Sequence, residues 1–219
     1  MKTVTTCVAD IIASQPYIEE ALERKIINYS ALADDLRETV SAALGKDIKS
    51  GAIMMALRRY APPTATKKSM RLEQVLTGIG DITVRSSLTD FTFQNSPTLV
   101  KSHAQILERI TANRNVFYAF TRGIHESTII ISASESEIIK NHFKGELLLE
   151  LQDNLSAISI SLPEGNSKIS GLYYQIFKRL AWEGISLHEV ISTTNEFIIL
   201  VEDDLIDRAF SVVKRLKFL

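Results

Sequence analysis

Residues 157–162, Ala-Ile-Ser-Ile-Ser-Leu, alternate small or hydroxyl side chains with large apolar ones and run straight into the polar loop Pro163-Glu164-Gly165-Asn166-Ser167. Period two marks a half-buried strand, and a proline–glycine loop ends one. Past the loop, Ile169, Leu172, Tyr173, Ile176, Phe177, Leu180 and Ala181 recur at helical spacing until Gly184 stops the run. Strands are predicted at Ile185 to Ser192 and Phe197 to Val201. A last helix, capped by Asp203 or Asp204, carries Leu205, Ala209, Val213 and Leu216.

Working back toward the N-terminus, the same order occurs again. Phe91 and Phe93 alternate as in a strand. Ser96-Pro97 starts a helix bearing Leu99, His103, Ile106, Leu107 and Ile110. Val116 to Thr121 and Thr128 to Ser132 are strands around Gly123, Ser136 caps a short helix, and Leu147 to Leu151 is a further strand. Strand-helix-strand-strand-helix thus occurs twice, over 90–145 and 156–216, which is the order of a ferredoxin-like βαββαβ unit. The second copy lacks its fourth strand. Ile82 to Ser86 alternate on the opposite parity to Phe91 and Phe93, so the slip near Leu88 predicts two strands there.

The first 61 residues read as three helices. Ile11, Ile12, Ile18, Leu22 and Ile26 form one stripe. Leu32, Leu36, Val40 and Leu44 form another, capped by Ser30 and stopped by Gly45. Ile53, Leu57 and Tyr60 follow a cap at Asp47, and Pro62-Pro63 ends the run. Residues 62–70 have no periodicity and read as a linker. The fold class is α+β: a small helical, winged-helix-like domain over 1–70, then two ferredoxin-like units over 71–152 and 153–219.

Composition narrows the function. Of 219 residues, 45% are hydrophobic and 23% charged, the net charge is -1, and Cys7 is the one cysteine. That suits a globular chain of two or three small domains in a reducing compartment and excludes an internal disulfide. Asp10 interrupts the apolar stretch near Lys2, so no signal peptide is expected. No run has the length of a membrane span. A cytoplasmic location is expected.

The repeat also carries a resemblance. The loop Glu164-Gly165 through Gly171, the helix from Leu172 to Ala181, Gly184-Ile185-Ser186-Leu187, Ile191-Ser192-Thr193-Thr194 and Phe197-Ile198-Ile199-Leu200-Val201 resemble an ACT domain of the kind found in the regulatory half of aspartate kinases. Residues 78–150 resemble a more diverged first ACT unit, whose loop Gln94-Asn95-Ser96-Pro97 lacks the usual glycine. In that family one unit is inserted in the other, so the resemblance implies that 82–86 completes the second sheet. It also implies a homodimer and an amino-acid effector, with Glu164, Gly165, Asn166, Ser167, Ser170, Gly171, Ser192, Thr193 and Thr194 as ligand-binding candidates. Free N–H groups at a helix start favour a carboxylate, and Glu164 suits an ammonium. The bland alternative is an ordinary capping loop in a unit that only dimerises. No Lys-Phe-Gly-Gly start and no phosphate-cradling loop occur, so the resemblance implies descent from kinase regulatory regions and no kinase activity.

The helical head resembles a helix-turn-helix or winged-helix domain. Between Lys46 and Arg71, seven bases (Lys46, Lys49, Arg58, Arg59, Lys67, Lys68 and Arg71) face one acid, Asp47. Such a patch is the footprint of phosphate binding, so Lys46, Lys49, Arg58, Arg59, Lys67 and Lys68 are nucleic-acid candidates. A solvated helix face in a docking domain reads equally from the same residues. His103, His125, His142 and His188 lack metal-ligand spacing, and Cys7 has no adjacent base. No metal, cofactor or catalytic residue is expected. His103 is expected to be a hydrogen-bonded core residue, and Trp182 to pack within its own unit, with a dimer contact as the alternative.

Overall fold

The computed structural model describes residues 2–60, 65–110 and 115–218, with the side chains of 65–70 left aside. The chain divides into two compact units, Met1–Ser69 and Met70–Leu219.

Unit 1 is helical throughout its described residues: α1 (Val4–Ala13), α2 (Pro16–Glu23), α3 (Tyr29–Asp35), α4 (Arg37–Leu44) and α5 (Ser50–Arg59), with α6 (Ala65–Thr77) running across the boundary. The expected first helix is two, because Pro16 lacks the N–H that would continue α1 and instead opens α2. The expected second helix is also two, broken at Leu36, which ends α3 and begins α4. The cap of α3 is Asn28 rather than Ser30: its Oδ1 accepts from the N–H groups of Ser30 and Ala31. Asp47 does not cap α5; it pairs with Arg37 at 3.0 Å. Gly45 ends α4 in the left-handed region, as its sequence position predicts. Cys7, Ile12, Leu32, Val40, Ile53 and Leu57 form the centre of the core. No β wing accompanies these helices among the described residues, so the winged-helix expectation lacks its wing. The linker expectation is corrected in part: 65–70 is helical backbone within α6, while 61–64 lies outside the described residues.

One long-range polar bond ties unit 1 end to end. The Tyr60 hydroxyl donates to Glu19 Oε1 at 2.6 Å, and burial first, then Glu19, push the phenol up to about 12. The folded state therefore favours the neutral phenol. Its contribution is intact below about pH 10, the ordinary tyrosine value, and is lost as pH rises toward 12. Tyr60→Phe is expected to cost about 1 kcal/mol at neutral pH and to remove this alkaline loss; circular-dichroism melts at two pH values check it.

Unit 2 is built on one antiparallel sheet of six strands: β1 (Ile82–Gln94), β2 (Tyr118–Arg122), β3 (Glu126–Ser132), β4 (Leu148–Ser161), β5 (Glu189–Ser192) and β6 (Glu196–Glu202), in the order β2-β3-β1-β4-β6-β5. Helices α7 (Leu99–Ile110), α8 (Ser136–His142), α9 (Leu172–Trp182) and α10 (Ile206–Arg215) complete it. Its two halves are each a strand-helix-strand-strand-helix motif, but they share strands. The second half of β1 pairs with β3 and with the start of β4. The first half of β1 pairs Ile82 with Ile160 and Val84 with Ile158, in the half that contains α9 and α10.

The phase slip near Leu88 is real, yet it does not divide two strands. Ser87 and Asn154 each have φ 58, and each is the extra residue of a bulge on either side of the pair Leu88–Leu155. A bulge shifts side-chain parity without ending the strand. Thus β1 sends Ile82 toward one helical layer and Phe91 and Phe93 toward the other. The strands expected at 147–151 and 156–162 are likewise one, β4.

Three apolar clusters follow. One lies under α9 and α10, one under α7 and α8. The third, made by Leu88, Ile130, Leu155, Ala157, Ile198 and Leu200, draws on both halves from the sheet face without helices. It is buried because the sheet curls on itself. The curl also brings Arg85 to the carbonyl of Asn115 at 2.6 Å and His188 to Asp90.

Candidate functional site

The loop after β4 is held by its own asparagine. Asn166 is 3% exposed, and its Nδ2 donates to the carbonyls of Pro163 (2.9 Å) and Thr194 (2.8 Å). The N–H of Leu162 donates to Asn195 O, and Asn195 Nδ2 to Leu162 O. Two stretches far apart in sequence, 164–171 and 192–194, therefore meet at one end of the sheet. Glu164, Gly165, Ser167, Ser170, Gly171, Ser192, Thr193 and Thr194 are exposed there. Asn166 is a structural staple rather than an open contact, because both protons of its amide are spent on carbonyls.

Helix α9 begins at this place on Gly171, with φ 97, which accepts no side-chain cap. Only glycine holds that backbone conformation without strain. An added Cβ would sit 3.4 Å from Leu72 Cδ2 on α6. Gly171 itself offers the first-turn N–H groups of α9 no side-chain acceptor. Tyr173, in that turn, places its hydroxyl 2.9 Å from Ser192 Oγ and its tilted ring 4.7 Å from that of Phe197. Tyr173 belongs to the rim, although its sequence position shows it only on the apolar stripe of its helix. Periodicity identifies the helix and does not say which ring reaches its edge.

The first half repeats the staple and closes the site. Asn95 Nδ2 donates to Gly123 O at 2.8 Å, as Asn166 does to Thr194. Here, however, Ser96 Oγ accepts from Leu99 N at 3.0 Å and Thr98 N at 3.2 Å, so the start of α7 is capped from within the chain. Ser96 also donates to Glu146. The serine–proline start is as expected, and it fills the position that an anion would take.

Elsewhere the structure corrects single residues. His103 stacks 3.7 Å from Phe120, but its buried Nε2 has no hydrogen-bond partner among the described residues, and burial lowers its pKa. Trp182 is 74% exposed. Among the basic candidates, Lys46, Lys49, Arg58 and Arg59 are exposed on unit 1, while the side chains of Lys67 and Lys68 lie outside the described residues. Among the described residues no metal-holding cluster of His, Cys, Asp and Glu occurs, and no helix is long and apolar enough to cross a membrane.

No family model matches the sequence. No curated protein matches it. Solved structures do match. The ligand-free regulatory subunit of aspartate kinase from Thermus thermophilus is 10% identical, with a TM-score of 0.52, over 63% of this chain and 97% of its own. Aspartate kinase from Clostridium acetobutylicum is 17% identical, with a TM-score of 0.52, over 63% of this chain and 34% of its own. E. coli aspartokinase III in complex with aspartate and ADP is 13% identical, with a TM-score of 0.51, over 64% and 34%. The chain thus spans 34% of the length of those whole kinases but nearly all of the separate regulatory subunit. At such identities the likeness establishes the fold. The sheet-bearing unit has the ACT fold of the regulatory regions of aspartate kinases.

Proposed function

We propose that this chain is a non-catalytic regulatory protein whose second ACT half senses a small molecule, an amino acid by the resemblance, and controls the helical head. The observation that carries the reading is the contrast between the halves. Ser96 caps α7 from within, whereas α9 starts on an uncapped glycine beside Ser192, Thr193 and Thr194. A carboxylate at the α9 start would take first-turn N–H groups and the helix dipole. Glu164 on the same loop suits the ammonium of the same molecule. The exposed bases Lys46, Lys49, Arg58 and Arg59 favour DNA as the partner of the head, with a protein partner as the other possibility.

A dimerising role is favoured by a separate observation. β6 pairs with β4 only over 155–161, so among the described residues the edge of β4 before Leu155 has no strand beside it on that side. Leu147, Leu148, Leu149 and Leu151 are 38–59% exposed there. An open edge with apolar side chains suits pairing with a second copy.

The test is a thermal-shift screen against the common amino acids. A ligand at one hundred times its Kd stabilises the folded state by about 2.7 kcal/mol, which moves the midpoint by roughly 5–11 °C at about 2–4 °C per kcal/mol. Gly171→Val is expected to abolish the shift while circular dichroism shows the fold retained. No shift for any amino acid at millimolar concentration assigns the ACT halves to dimerisation alone.

A further inference from the structure

Where the sheet curls, one charged cluster bridges its halves. His188 precedes β5 in the second half. Its Nε2 lies 2.7 Å from Oδ2 of Asp90, on the part of β1 that belongs to the first half. The Asp90 side chain is 6% exposed, that of His188 22%. The second Asp90 oxygen, Oδ1, is buried with no hydrogen-bond partner among the described residues. A buried carboxylate with half its acceptors unmet is costly in its charged form. The next residue, Glu189, adds a second carboxyl that Asp90 repels, and Glu150 on β4 repels Asp90 in turn. The in-register neighbours carry no charge: Ile130 on β3 opposes Asp90, and Leu200 on β6 opposes Glu189. Asp90 and Glu189 therefore lie beside one imidazole, and no Lys or Arg forms an ion pair with either among the described residues.

We propose that Asp90, His188 and Glu189 form a proton-operated latch across the curl, holding the two ACT halves together more firmly as the solution becomes acidic. One added proton relieves the excess of negative charge without breaking the contact between Asp90 and His188. Burial, followed by Asp90, pushes the Glu189 carboxyl up to about 7, and burial also raises Asp90, against the opposing pull of His188. The sign follows. The folded chain keeps the Glu189 proton up to about 7, whereas the unfolded chain releases it near 4.5. The latch is therefore strongest below 4.5 and is lost as pH rises from there through about 7. β5 is only four residues long, so the latch at its start and Ser192 at its end are joined by one short strand. The latch does not depend on the ligand reading, and its test uses no ligand.

The experiment is urea unfolding of the full chain between about pH 5 and pH 8, read by fluorescence of Trp182, the one tryptophan. It is paired with amide exchange at His188, whose N–H donates to Leu200 O at 2.8 Å. In the wild type the urea midpoint is expected to fall as pH rises, and the protection of His188, corrected for intrinsic exchange, to fall with it. Glu189→Gln keeps the shape and removes the charge. Its profile is expected to be flatter and its midpoint at pH 8 to lie above the wild type's. Asp90→Asn is expected to shift the midpoint differently in the wild-type and His188→Gln backgrounds. Parallel pH profiles for wild type and Glu189→Gln, or equal effects of Asp90→Asn in both backgrounds, overturn the latch.

Discussion

Leu88→Ala is expected to remove about 2–5 kcal/mol of stability from the sheet-bearing unit, the range for emptying a buried leucine position. Leu88 is 0% exposed and sits opposite Leu155, between the bulges at Ser87 and Asn154. Its neighbours in the core are Ile130 from one half and Ala157, Ile198 and Leu200 from the other. The bulges fix the backbone on both sides, so the cavity cannot close by sliding the strands. Both halves lose the contact together. Urea unfolding read by Trp182 fluorescence, on α9, and by circular dichroism, on all elements, is expected to show the same drop. A drop seen only by circular dichroism would mean that the halves unfold separately.

Asn166→Ala is expected to cost about 1–3 kcal/mol, the penalty for leaving buried polar partners unpaired. The amide holds Pro163 and Thr194 together, and no neighbouring side chain described here replaces it. The effect on ligand affinity is expected to exceed the effect on stability. Removing the staple frees the loop 164–171 from the strand end at 192–194, and a ligand must then order both. Calorimetric titration with whichever amino acid gives a thermal shift checks this, with Asn95→Ala as the companion. That variant breaks the matching staple in the capped half, so it is expected to reduce stability without changing affinity.

The sequence made the repeat readable because each strand and helix keeps its own period. The loop with its two glycines and the serine–proline helix start were legible for the same reason: their backbone requirements restrict the residue type. Other features were hidden for identifiable causes. A bulge and a strand break both shift parity, so Ser87 could not be told from a turn. Proline at 16 separates α1 from α2, but the apolar stripe continues across it and suggested one helix. The pairing of His188 with Asp90 comes from the curl of the sheet. Nothing in the local pattern of residues 188–192 indicates which strand lies across from them. Trp182 is the last residue of α9 and is 74% exposed, and residue type alone does not tell an exposed ring at a helix end from a packed one.

The shared strands also bear on how the chain is made. Thr83 leaves the ribosome long before Ser159, its partner in the finished sheet. At about 5–20 residues per second, that interval is roughly 4–15 s. Near its end the first half gains the start of β4 and can close, while residues 82–86 still lack their partners at 157–160 and the second half does not yet exist. Synthesis therefore sets an order: the inserted half comes first, and the half with the uncapped glycine closes around a strand that was waiting for it.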